Sequence, residues 1–88
     1  MESSKSPLLA QAITFATLAH QDQRDKGGDP YILHCLRVMH RLRTKDIELM
    51  VIAVLHDTLE DTWVTIQDLK EIGCTDRVID GVVRLTKV

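Results

Sequence analysis

VIAVLHDTLEDT, residues 51–62, decides how this chain is read. An aliphatic run, Val51-Ile52-Ala53-Val54-Leu55, ends in His56-Asp57, and Glu60-Asp61 follow shortly after. The run needs burial, yet the four ionisable side chains behind it are costly to desolvate unless paired, protonated or bound to a metal. If the helix continues, His56 and Glu60 share a face, as do Asp57 and Asp61. An imidazole nitrogen beside a carboxylate oxygen suits one divalent cation such as Mn²⁺, Fe²⁺ or Zn²⁺. Two adjacent residues cannot complete a site. His34 is the best second source, because its neighbours Leu33 and Leu36 read as core and would turn it into the bundle. A surface hydrogen bond between His56 and Asp57, with solvated acids beside it, fits the same spacing, so spacing alone leaves the site open.

Outward from this stretch the periodicity is helical throughout. Ser6 and Pro7 read as a helix start, with Leu8, Leu9, Ala12, Phe15, Ala16 and Ala19 on one face and an end near His20 to Gln23. The polar, turn-rich segment Gln23 to Pro30 reads as a loop. Pro30 opens a second helix with Ile32, Leu33, Leu36, Val38, Met39 and Leu42 as its apolar set. Thr44 is expected to cap a third helix that carries Ile47, Met50, Val51, Val54 and Leu55. Thr65 caps a short fourth helix that Gly73 stops. Thr75 caps a fifth, with Val78, Ile79, Val82, Val83 and Leu85 facing inward. The fold class expected is all-α, a bundle of about five helices in one domain over residues 1–88.

Composition narrows the function classes. With 88 residues, 44% of them apolar and only one each of Phe, Tyr and Trp, the core must be small and aliphatic. The net charge of −2 gives no basic footprint for nucleic acid. Residues 65–86 have helix-turn-helix spacing, but the would-be recognition helix carries Asp76, Asp80 and a broad apolar face where DNA contact needs basic and polar groups. No DNA partner is expected. The longest apolar run, Met50 to Leu55, is too short to span a membrane, the N-terminus has no signal-like core, and Cys35 and Cys74 form no CxxC pair. A cytoplasmic protein with reduced thiols is expected.

The combined pattern resembles the HD-domain superfamily of metal-dependent phosphohydrolases, within it the RelA/SpoT-type (p)ppGpp hydrolase domain and its small single-domain relatives. The matching residues are Ala19-His20 with Gln23, Gly28-Asp29-Pro30-Tyr31-Ile32-Leu33-His34, and Ala53 through Thr62; Thr65, Asp68-Leu69, Gly73, Val78 and Leu85-Thr86 continue the match in one register. The spacing from PYxxH to HDxxEDT is more specific than either piece.

The resemblance implies a divalent metal, most often Mn²⁺, on His34, His56 and Asp57. It makes Glu60 and Asp61 the catalytic pair that positions and activates water, and it places Arg24 and Lys26 on the nucleotide. The implied activity is removal of pyrophosphate from the 3′ position of (p)ppGpp or a related nucleotide. Two departures stand out. Asp25-Lys26 occupies the place where many members carry Arg-Lys, and Asp25 is expected to repel a polyphosphate. The family's site also takes a further aspartate from a later helix beyond Leu85-Thr86-Lys87, whereas this sequence ends at Val88. The expectation is the front half of the usual domain, with apolar faces that a second copy or a protein partner covers. The alternative is a catalytically incomplete HD module that regulates by binding a nucleotide or a protein. His20 reads as a packed or capping histidine.

Overall fold

A computed structural model describes residues 6–86. They form α1 (Ser6–Ala19), α2 (Tyr31–Arg41), α3 (Ile47–Leu55), α4 (Thr58–Asp61), α5 (Ile66–Glu71) and α6 (Asp76–Leu85). The only β-type pairing among the described residues is an isolated bridge between Arg24 and Pro30. The side chain of Ser6, the expected first cap, lies outside what is described.

The aliphatic run forms α3, and α3 is the hub: α1, α2 and α6 all pack on it. Val51, Val54 and Leu55 are fully buried, and each such side chain contributes about 1.5–3 kcal/mol by leaving water. Ala12, Ala16 and Ala19 give α1 a narrow face against them, and Leu69, Val78 and Val82 close the core from α5 and α6. Among the described residues no helix is long and apolar enough to cross a membrane.

Local chemistry sets the boundaries. The cap of α3 is Asp46, whose carboxylate accepts from the amides of Glu48 and Leu49. Thr44 does not cap the helix; its hydroxyl accepts from the Asp46 amide at 3.0 Å and so steadies the residue that does. A carboxylate also suits the positive end of the helix better than a hydroxyl. Thr65 and Asp68 form a reciprocal capping box at α5. Gly73 follows α5 at φ +105°, a conformation that favours glycine, and Thr75 caps α6. The Thr75 hydroxyl also donates to buried Glu48 at 2.8 Å. Arg77 donates to Glu48 and Asp46 at 2.9 Å each, tying the start of α6 to the start of α3.

Four expected apolar positions are exposed. Leu42, 47% exposed, lies just past the end of α2. Leu33 is 40% exposed, Val83 41% and Leu85 56%. Each lies on the flank of an apolar stripe whose centre is buried by α3, as Cys35, Val78 and Val82 are, and no described element covers the flank. The helix also does not run on through the acidic cluster. It ends at Leu55, and α4 restarts at Thr58 after Asp57 at φ −98°, ψ −2°, so the acids straddle a bend.

At the α3–α6 contact, a Cβ on Gly81 would meet Ile52 Cδ1 at 2.5 Å. Gly81→Ala should gain about 1 kcal/mol of helix propensity but lose about 1–3 kcal/mol to overpacking, so urea unfolding is expected to show no stabilisation. Ile52→Val, which removes the offending methyl, should relieve the alanine with a coupling of about 1 kcal/mol. Additive effects of the two substitutions would contradict this close approach.

Candidate metal centre and adjoining grooves

The turn-rich segment between α1 and α2 folds onto one carboxylate. Asp25 Oδ1 accepts from the amides of Gly27 and Asp29, each at 2.9 Å, and the Asp25 amide donates to the Asp29 carbonyl at 2.8 Å. Arg37 of α2 lies 3.4 Å from the other oxygen. The Asp29 amide above all, helped by the Gly27 amide and Arg37, holds this carboxyl below its ordinary value, with desolvation second in size and opposing them. Asp25 is therefore a staple of the loop, its charge met by amides and by Arg37. It also lines the groove that holds Arg24, Lys26 and His34, so its charge stands beside the expected phosphate site.

The loop closes where the Tyr31 amide donates to the Gln23 carbonyl at 3.0 Å. That closure sets Tyr31 as the first residue of α2 and places His34 one turn later, the two rings 5.2 Å apart. The Tyr31 hydroxyl donates a hydrogen bond to Asp57 Oδ2. Burial first, then this bond, pushes the phenol well above its ordinary value, so Tyr31 stays a donor throughout the neutral range.

From the other side, the end of α3 delivers His56 and the bend delivers Asp57. His56 Nδ1 lies 2.6 Å from the Ala53 carbonyl, which can only accept, so Nδ1 carries the proton. Nε2 then faces Asp57 Oδ2 at 3.0 Å. A neutral imidazole would set a lone pair against a carboxylate, an arrangement that calls for a positive charge between or beside them. The His34 ring lies 6.1 Å from the His56 ring.

His34, His56 and Asp57, all half-buried, each offer one ligand atom, and these atoms lie within 4.8 Å of one another. Metal–ligand bonds of about 2.0–2.2 Å put ligand atoms roughly 3–4.4 Å apart, so small side-chain adjustments fit the set to one cation. Its borderline and hard donors suit a first-row divalent ion. Cys35 is fully buried behind it and is not among the converging ligand atoms; burial, with the Asp57 charge second, pushes its thiol up to about 12.

Two open grooves adjoin the cluster. One, of about 430 Å³, is lined by Arg24, Lys26, Tyr31 and His34 among others. The second, of about 350 Å³, is lined by Gln23, Arg24, Tyr31 and Asp61. Arg24 and Lys26 thus stand beside His34, and Asp61 beside Arg24. Glu60 is exposed on α4 next to Asp61. Asp80 sits on the surface of α6, paired with Arg84 at 2.7 Å. The sequence reading missed Tyr31 as a partner of Asp57, although its position three residues before His34 puts the two on one helical face.

No family model matches the chain. It is 38% identical over 84 residues to a guanosine-3′,5′-bis(diphosphate) 3′-pyrophosphohydrolase of Aquifex aeolicus, covering 91% of this chain and 12% of that protein. It is 37% identical over 90 residues to the guanosine-3′,5′-bis(diphosphate) 3′-pyrophosphohydrolase MESH1 of Danio rerio, covering 93% of this chain and 50% of that one. The chain therefore spans half or less of the length of these relatives. A solved structure described as a metazoan ortholog of SpoT that hydrolyzes ppGpp superposes on all of this chain and 51% of its own, with a TM-score of 0.84 at 24% identity. The fold is that helical fold, and the resemblance to SpoT- and MESH1-type (p)ppGpp hydrolases extends over nearly the whole chain.

Outer partners that orient a ligand typically change metal affinity by about 10–100-fold. Tyr31→Phe is therefore expected to weaken Mn²⁺ binding by about that factor in calorimetric titration, with helix content unchanged. Unaltered affinity would show that the phenol does not orient Asp57 for a ligand.

Proposed function

We propose that this chain is an HD-type, divalent-metal-dependent phosphohydrolase that removes pyrophosphate from the 3′ position of (p)ppGpp or a related nucleotide. The observation that carries the reading is the convergence of His34, His56 and Asp57 beside a groove that also presents Arg24 and Lys26. The similarity to named (p)ppGpp hydrolases supports the same substrate class.

In this reading His34, the Nε2 of His56 and Asp57 hold the cation, with Mn²⁺ proposed. When bound, such an ion polarises a phosphoryl oxygen and lowers the pKa of water. Arg24 and Lys26 bind the nucleotide's phosphates, Arg24 as a fork and Lys26 as a point charge. Glu60 and Asp61 hold the attacking water and take its proton. Tyr31 keeps Asp57 oriented, and the Asp25 staple keeps the phosphate-binding loop in shape.

The wider setting belongs to the same proposal. Cys35 and Cys74 are free thiols, which suits a cytoplasmic location. The exposed apolar side chains, including Leu18, Leu42, Trp63 and Leu85, support a second copy or a protein partner.

The test is pyrophosphate release from ppGpp and other nucleotides at saturating Mn²⁺, with metal binding measured alongside and molar mass by light scattering. The wild type should turn over. Asp57→Ala should lose metal and activity together, and Glu60→Ala should keep metal and lose roughly 10²–10⁴ of the rate. No metal and no turnover would overturn the reading, and turnover that survives both substitutions would place the chemistry elsewhere. Nucleotide and metal binding without turnover would favour a regulatory binding module, and a stable monomer at micromolar concentration would contradict the self-association.

A further inference from the structure

Helix α4 is four residues long, too short to hold its shape unaided. Its hydroxyl bonds are local: Thr58 to the Leu55 carbonyl and Thr62 to the Thr58 carbonyl. Leu59 packs its inner side on the core, and at its acidic end a contact from far along the chain comes from Gln23, whose Nε2 donates to the Asp61 carbonyl at 2.6 Å across 38 positions. The same residue's own carbonyl accepts the Tyr31 amide. One glutamine thus joins the end of α1, the start of α2 and the acidic end of α4.

Its side-chain amide has one workable orientation. Because Nε2 donates to Asp61, Oε1 faces His20 and accepts from Nδ1 at 2.5 Å, so Nδ1 carries the imidazole proton. His20 is 1% exposed, and its Nε2 has no hydrogen-bond partner among the described residues. Burying a ring with an unmet nitrogen is unfavourable. A leucine would fill this place without that cost, so what histidine supplies here is the Nδ1 donor. The ring is fixed further by Tyr31, 4.8 Å away.

We propose that Gln23, oriented by buried His20, is a positioning residue that holds the Glu60–Asp61 end of α4 in register with the metal cluster. Its effect on rate rests on the hydrolase reading above; the tether itself does not.

Four full-length variants test it by amide hydrogen exchange and by steady-state kinetics with ppGpp. Gln23→Glu keeps the oxygen for His20 but turns a second oxygen on the Asp61 carbonyl, while Gln23→Ala removes both contacts. His20→Leu fills the space without a donor, and His20→Asn restores a donor near the place of Nδ1. The Asp61 and Thr62 amides, which close α4 at 3.0 and 3.1 Å, are the reporters. They should exchange about tenfold faster in Gln23→Glu, Gln23→Ala and His20→Leu, at unchanged helix content, and recover in His20→Asn. In the active protein kcat should fall by roughly 10–100-fold with KM within about twofold, because misplacement of the acids slows the reaction without weakening phosphate binding. Unchanged exchange at both amides, or a rise in KM at constant kcat, overturns the proposal. Absence of turnover in every form counts against the hydrolase reading alone, since exchange still decides the tether.

Discussion

The hydrogen bond from the Tyr31 hydroxyl to Asp57 is the contact on which the rest of the site depends. It joins the first residue of α2 to the bend after α3, the two places where the chain brings polar groups to the end of an aliphatic core. One oxygen of Asp57 thereby faces both the phenol and the His56 Nε2. Moving either helix by a fraction of a turn would separate His34 from His56 and dissolve the three-ligand cluster. The loop Gln23–Pro30, stapled by Asp25, sets where α2 begins, and so it sets where Tyr31 and His34 stand. Asp57 meets the Tyr31 donor while Glu60 and Asp61 stay exposed to water, which answers the desolvation problem posed by HDTLED.

The scaffold that carries this arrangement is economical. A nine-residue helix, α3, supplies the centre of the core and, immediately beyond it, two of the three candidate ligands. Alanines on α1 and Gly81 on α6 allow close approach to it. Arg77 and Thr75 bind Glu48 and Asp46 at its opposite end. Packing at one end of α3 is thus polar and structural, whereas at the other it is polar and available for a cation and a phosphate.

Much of this was legible in the sequence because it follows from local rules. The 3.6-residue periodicity yields the helices, and Thr65, Gly73 and Thr75 act where their side chains or backbone freedom demand. The candidate metal centre was legible through a motif pair, PYxxH and HDxxEDT, rather than through spacing, since spacing fitted a surface pair equally well. What escaped was non-local. Leu33, Val83 and Leu85 are apolar, but periodicity does not say which flank of a stripe another helix will cover. At the bend, the Asp57 side chain meets Tyr31, 26 residues away in sequence, a join that local rules do not contain. Asp25 read as a charge beside the substrate, and the fold of its own loop adds the amides and Arg37 around it. Gln23 and His20 were visible as motif members, yet their join to Asp61 exists only in three dimensions.

Whether His34, His56 and Asp57 form one divalent-cation site is tested by anomalous diffraction at the manganese edge, from crystals of the protein grown with Mn²⁺. One strong peak is expected within about 2.0–2.4 Å of His34, the Nε2 of His56 and an Asp57 oxygen, bond lengths typical of such ligands. A peak bound elsewhere, or none at these three residues under saturating Mn²⁺, would contradict such a site.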